Sequence, residues 1–279
     1  MTLLVRDLED IVTENIAYHL CQGVDHFVVT DNGSVDGTRA ILQSFAREGL
    51  VTLIDEPRDD YDQSAWVTRM ARTAAELGAD WVIENDADEL WLPRAGNLKT
   101  TLARVDRRYG AVVYPRANML PLRTLDGHPF ERMVMRHVRS INGLGRPLPG
   151  KVAHRSAPDV VVAPGNHGVS SPSLGATLEA DDVLIYHFPY RSYAQLERKI
   201  ALGGPAVSRN TAVPLATFDV WRTLYGSLQS GTLRAWYEAL PHGDDDDIDA
   251  RVADGSVVRD ERLAAYLRAY VLQPARHAG

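Results

Sequence analysis

Residues Asn85-Asp86-Ala87-Asp88-Glu89 directly follow the apolar run Trp81-Val82-Ile83. Two carboxylates one residue apart, at the exit of a buried strand, suit a divalent cation, because a hard ion takes oxygen ligands from a rigid scaffold. A second cluster lies upstream. Asp31-Asn32-Gly33-Ser34-Val35-Asp36-Gly37-Thr38 follows the strand-like Phe27-Val28-Val29-Thr30. An acid ending a buried strand, followed by two glycines, suits the close approach of a ligand, and Asp31 can accept hydrogen bonds from a base N–H or from ribose hydroxyls. The same residues also make a turn and a helix cap, with Asp36 or Thr38 as the capping side chain. Together the two clusters suggest a nucleoside-diphosphate site in which a metal ion clamps the phosphates.

His187 ends the apolar run Val183-Leu184-Ile185-Tyr186. A histidine in such aromatic surroundings can simply be packed and bonded to backbone, but its strand-end position makes it the expected third contact to the metal or the diphosphate. A neutral imidazole suits Mn²⁺ well and Mg²⁺ less so. His167, in Asn166-His167-Gly168, is a second candidate. Arg191, Arg198 and Lys199 follow His187 closely enough to reach phosphate, or else face water. The pair Asp59-Asp60 lacks a strand-end position and reads as surface. The run Asp244 to Asp247 reads as a solvated loop, since adjacent like charges repel. No G-x-S-x-G elbow, P-loop or H-E-x-x-H is present, and Gly143-Leu144-Gly145 lacks the context of a dinucleotide fingerprint.

The elements that must position these residues alternate over the first 115 positions. Strands are expected at 3–5, 27–30, 51–54, 81–84 and 111–114, with helices at about 10–22, 37–48 and 64–77 between them. This rhythm predicts an α/β fold with a mostly parallel sheet flanked by helices. Ligands then sit at the carboxyl ends of the strands, where Asp31 and Asp86 both fall. Residues 116–180 are rich in Pro, Gly, Arg and His. A strand at 183–186 and a helix from Ser192, its N-cap, to Leu202 follow. The C-terminal part reads as helices near 215–229, 231–240 and 259–272. The expected division is 1–115 for the nucleotide-binding half, 116–203 for the metal-completing half of the same domain, and 204–279 for a helical extension.

Length and composition bound the class. The chain has 279 residues and a net charge of −7, which argues against non-specific nucleic-acid binding. Lys99, Lys151 and Lys199 are three of 30 basic residues, so 27 are arginines, a bias that fits a GC-rich bacterial source. The single Cys21 fits a reducing, cytoplasmic setting and is expected as a buried apolar thiol on a helix. Neither a secretory signal nor an apolar stretch of about 20 residues is expected.

The motif order resembles the family 2-like glycosyltransferases of GT-A fold, in the branch related to DUF23 and GT92. The residues that carry it are Leu4-Val5-Arg6-Asp7 with Glu9, Tyr18-His19-Leu20, Gly23-Val24-Asp25-His26-Phe27, the two acidic clusters above, and His187-Phe188-Pro189-Tyr190-Arg191-Ser192 through Arg198-Lys199-Ile200. The likeness spans roughly residues 3–203. It implies a metal-dependent transfer of a sugar from a nucleotide-diphosphate donor, with UDP favoured, to a saccharide, lipid-linked or small-molecule hydroxyl. Arg6, Asp7 and Glu9 would flank the base. Asp31 and Asn32 would hold base or ribose. Asp86 would touch ribose or metal, and Asp88 would bind Mn²⁺ or Mg²⁺. Arg191 and Lys199 would meet the donor phosphates.

The catalytic base is the least defined element. Glu131 is the best match to an acceptor-side acid, with Asp126 and His128 as neighbours, and the irregular segment from Arg116 to His167 is the expected acceptor contact. A sugar-nucleotidyltransferase is the rival enzyme reading. It calls for a Gly- and basic-rich loop after the first strand, where Arg6-Asp7-Leu8-Glu9-Asp10 is acidic instead. A non-catalytic nucleotide-sugar-binding protein of the same fold is the other alternative.

Overall fold

The computed structural model describes residues 1–211 and 214–271. Its first stretch carries out the alternation. In order come β1 (Thr2–Val5), α1 (Val12–Cys21), β2 (Phe27–Asp31), α2 (Thr38–Arg47), β3 (Val51–Asp55), α3 (Gln63–Glu76) and β4 (Trp81–Asp86). Then come β5 (Glu89–Pro93), α4 (Leu98–Ala103), β6 (Tyr109–Tyr114), β7 (Arg116–Asn118), α5 (Pro129–Arg132), β8 (Met135–His137), β9 (Lys151–Arg155), β10 (Val161–Val162), β11 (Val169–Ser170), β12 (Ala176–Glu179) and β13 (Val183–His187). The remainder is α6 (Tyr193–Arg209), α7 (Asp219–Gln229), α8 (Leu233–Glu238), α9 (Ile248–Ala253), β14 (Val257–Arg259) and α10 (Arg262–Tyr270).

The main sheet has seven strands in the order β12-β6-β9-β4-β1-β2-β3. Its first-half strands are parallel, and β9 enters antiparallel between β4 and β6. Register sets the site. Val5 lies opposite Asp31 and Leu4 opposite Asp86, so the loops leaving β1, β2 and β4 open side by side at one edge. Leu3, Val5, Phe27, Val29 and Ile83 are buried in one apolar cluster beneath that edge, which anchors the strand ends that carry the polar residues.

A second sheet, β5-β13-β7, stands beside the first. The strand Glu89–Pro93 has no counterpart in the sequence reading. It pairs antiparallel with β13, which places His187 opposite Glu89 on one side and opposite Asn118 on the other. Ser192 caps α6 as expected, accepting from the Gln195 N–H at 3.1 Å. The helix runs past Leu202 to Arg209 and so across the expected boundary at 203. It continues because α7 packs on it where it lacks side chains: a Cβ on Gly203 would meet the Trp221 ring at 2.7 Å.

The C-terminal part also holds α9 and β14, neither of them expected, and α10 starts at Arg262 rather than 259. Residues 272–279 of the anticipated extension lie outside the described residues. Cys21 is exposed rather than buried. It ends α1, whose inward positions are Val12, Asn15, Ile16, Tyr18 and His19. Among the described residues, no helix is long and apolar enough to cross a membrane.

Candidate active site

A cavity of about 730 Å³ opens over the carboxyl ends of β1 and β4, within the roughly 300–1,000 Å³ usual for small-molecule sites. Asp86 and Asp88 both line it, with Arg6, Asp7, Glu9 and Asn32 on the β1–β2 side. Lys151, His167, His187 and Lys199 close the other side.

Asp86 and Asp88 each have their own ammonium partner. Lys151, only 1% exposed, pairs with Asp86 and lies 3.5 Å from Glu89 Oε2. Lys199 donates to Asp88 Oδ2 at 2.9 Å. Two of the chain's three lysines therefore stand in this cavity, as compact charges suited to phosphate. Asn166 donates to Asp86 Oδ1 at 3.0 Å, and Arg116 pairs with Glu89 at 2.7 Å. Burial raises the Glu89 carboxyl against the lowering pull of Lys151 and Arg116. Burial would also raise Asp88, but the charges of Lys199 and Arg191 and the hydrogen bond from Lys199 outweigh it and hold that carboxyl well below the usual range.

His187 is oriented by a chain of hydrogen bonds. The Asn118 amide donates to the Ile141 carbonyl at 3.0 Å. Its Oδ1 thereby faces His187 Nδ1 at 2.7 Å, so Nδ1 carries the proton. Nε2 keeps its lone pair and lies 3.8 Å from Asp88 Oδ1. Burial pushes this imidazole well below the usual histidine range, so it is neutral at pH 7. His167 has the same form. It faces the Gly150 carbonyl through Nδ1 at 2.8 Å, and burial pushes it down to about 3.

No three His, Cys, Asp or Glu side chains form a complete metal set among the described residues. The pair of Asp88 Oδ1 and His187 Nε2 nevertheless fits a divalent ion, since both present free lone pairs to the same space and a diphosphate can supply further oxygens.

The β1–β2 loops are held to each other. Asp7, at φ 53°, accepts from the N–H groups of Val35 at 2.7 Å and Asp36 at 3.2 Å. Glu9 accepts from Gly37 N–H at 2.6 Å, and a Cβ on Gly37 would meet that carboxylate at 2.6 Å. Gly37 thus admits Glu9 rather than a ligand. Arg198 approaches Asp7 Oδ2 at 3.4 Å.

Several expected residues stand elsewhere. Asp31 is buried rather than exposed and is not on the cavity wall. Its oxygens accept from Ser34 N–H at 3.0 Å and Arg39 at 3.2 Å, because its side chain turns into the β2–α2 connection. Arg191 is also off the wall. Its guanidinium is held by Asp10 through two bonds of 2.8 and 3.0 Å.

Glu131, Asp126 and His128 do not line the cavity. They sit on or beside the short α5, which packs against α10. Glu131 approaches Arg268 at 3.6 Å, His128 approaches Glu14 at 3.3 Å, and Asp126 is exposed. From the irregular segment, Asn142, Arg146, Leu148, Pro149 and His167 do reach the wall. Beside Lys199 stands an aromatic wall that sequence reasoning missed. Trp221 lies under Lys199 at 5.6 Å, and Tyr61 meets Phe218 and Trp221 at 5.2 and 5.6 Å.

Residues 5–111 match the sequence model of glycosyltransferase family 92. The matched stretch runs from β1 into β6 and holds both acidic clusters. Among solved structures, TarS 1–349 of S. aureus is 11% identical, with 97% of this chain and 80% of that one covered and a TM-score of 0.38. The same protein in complex with UDP-GlcNAc is 12% identical over 84% of this chain and 73% of that one, at 0.40. GalNAc-T7 with UDP, GalNAc and Mn2+ is 13% identical, with 98% of this chain and 58% of that one covered, also at 0.40. No curated protein matches.

Proposed function

We propose that this chain is a glycosyltransferase that uses a nucleoside-diphosphate sugar, with UDP as the favoured nucleotide, and a divalent ion, Mn²⁺ or Mg²⁺. The observation that carries the reading is the convergence of Asp88 Oδ1, His187 Nε2 and the Lys199 ammonium on one corner of the cavity. Asp88 and His187 would hold the ion. When bound, it supplies Lewis-acid neutralisation of the leaving diphosphate.

The chain's own residues supply the rest. Lys199 and Lys151 add fixed positive charge where the leaving group gains negative charge, and preplaced charge of this kind is usually the largest catalytic contribution. The linked loops at Asp7, Glu9 and Asn32 form the wall for the nucleoside. Trp221, Phe218 and Tyr61 offer apolar ring faces on the acceptor side, and Asn142 and Arg146 rim that side with polar groups. The acceptor hydroxyl would enter between this wall and the acidic turn.

The direct test is calorimetric titration of the protein with UDP, GDP and dTDP, each with and without Mn²⁺. Metal-strengthened binding of one nucleotide supports the reading. Absence of binding to all three would overturn it. Hydrolysis of the matching nucleotide-sugar, lost on chelation and restored by Mn²⁺, separates an enzyme from a binding protein.

A further inference from the structure

We infer that Asn15, on helix α1, is a positioning residue that sets the shape of the acidic turn and through it the affinity of the site for a metal–diphosphate. The inference rests on the donor reading above. Asn15 is fully buried and does not line the cavity. Both hydrogens of its amide are used on backbone, Nδ2 donating to the Ala87 carbonyl at 2.9 Å and to the Glu89 carbonyl at 2.9 Å. Those two carbonyls bracket Asp88.

The carbonyl between them, that of Asp88, accepts from Phe188 N–H at 2.8 Å. All three carbonyls from Ala87 to Glu89 are therefore fixed, two by one side chain and one by the residue after His187. This turn is also where the chain leaves the main sheet at β4 for the second sheet at β5. The Phe188 bond extends the β5–β13 pairing by one residue, and Asn15 holds the carbonyls on either side of it.

The orientation of the amide is itself determined. A carbonyl oxygen only accepts, so Nδ2 must face the pair and Oδ1 must face away. Oδ1 lies 3.1 Å from His19 Nδ1, and His19 Nε2 accepts from Trp91 N–H at 3.3 Å. Tyr18 donates to the Trp91 carbonyl at 2.9 Å. One face of α1 thus grips alternate residues 87, 89 and 91 of the turn and β5. The distance between Asp88 Oδ1 and His187 Nε2 depends on the two Asn15 bonds at residues 87 and 89, since β13 brings His187 from the other side of β5.

Asn15→Asp keeps the shape and removes both donors, setting carboxylate lone pairs against the two carbonyls. Displaced outer supports of a metal site typically cost 10- to 100-fold in affinity. We expect the dissociation constant for UDP in the presence of Mn²⁺, measured by calorimetry well below the unfolding temperature, to rise about 10- to 100-fold. Binding of UDP without metal should change far less.

Tyr18→Phe is the control. It removes a neighbouring bond from the same helix face without touching residues 87–89, and should lower the melting temperature but leave both affinities unchanged. If Asn15→Asp does not fold, Asn15→Ala, which introduces no charge, reads the same loss. Wild-type binding with an Asn15 variant that keeps the wild-type metal-dependent affinity would overturn this inference alone. Failure of the wild type to bind UDP, GDP or dTDP with metal would overturn the donor reading and this inference with it.

Discussion

Lys199 donates to Asp88 Oδ2 at 2.9 Å, so the central acid of the turn meets a fixed ammonium before it meets any ligand. The other oxygen, Oδ1, is left facing His187. One carboxylate thereby serves two partners of different kinds, a permanent cation and a neutral lone pair that can share an ion.

Lys199→Met should lower turnover roughly 100- to 1,000-fold, the usual cost of removing one preplaced charge at a developing anion. Lys199→Arg should recover only part of it, because a planar fork does not replace a compact ammonium. Steady-state kinetics of both variants check this. A Lys199→Met enzyme within threefold of wild type would make the lysine a mere counter-ion.

His187→Ala should keep the fold and raise the Mn²⁺ concentration needed for half-maximal activity at least tenfold. His187→Gln should behave similarly, since an amide is a poorer ligand for Mn²⁺ than an imidazole. An activity titration with metal reads the effect. An unchanged Mn²⁺ requirement would remove His187 from the metal.

Glu131→Gln should leave turnover close to wild type. The residue lies off the cavity, and its 3.6 Å pair with Arg268 is half-exposed, of a kind worth at most about 1 kcal/mol. A drop of tenfold or more would mean that the acceptor side reaches α5.

Asp31→Ala should act on stability rather than on nucleotide affinity. It strips partners from the Ser34 N–H and from Arg39, a loss of about 1–3 kcal/mol for a buried acceptor. Urea denaturation together with nucleotide titration distinguishes the two effects. Weakened nucleotide binding with unchanged stability would restore Asp31 to the site.

Acid should destabilise the fold below the ordinary histidine range. Burial pushes His19 and His167 down to about 3 and holds His187 well below its usual value. For a folded-state pKa lowered in this way, the unfolded chain binds more protons between the two values. The stabilisation is complete above an unfolded pKa of about 6.5 and is lost as pH falls below it, by at most about 1.4 kcal/mol per pH unit for each histidine. Asp88, also depressed, adds its own loss only below about pH 4. Unfolding free energies at pH 7, 6 and 5 test this, and a flat profile would contradict it.

The sequence by itself determined the parallel half of the sheet and the acidic turn at its edge. Strands and helices there follow local periodicity, and each strand end carries its polar residues with it, so Asp86, Asp88 and the Arg6–Glu9 loop could be placed from spacing alone. His187 was legible for the same reason, as the last residue of an apolar run. Only the tertiary structure decided which charges meet. Lys151 reaches Asp86 from 65 residues away and Asn15 reaches Ala87 from 72. Asn118 stands beside His187 because β7 and β13 pair in one register. Asp31 and Glu131 show the converse: both have the right residue type at a plausible position. The direction of a side chain at a strand end, and the element against which a short helix packs, depend on distant partners that no local pattern encodes.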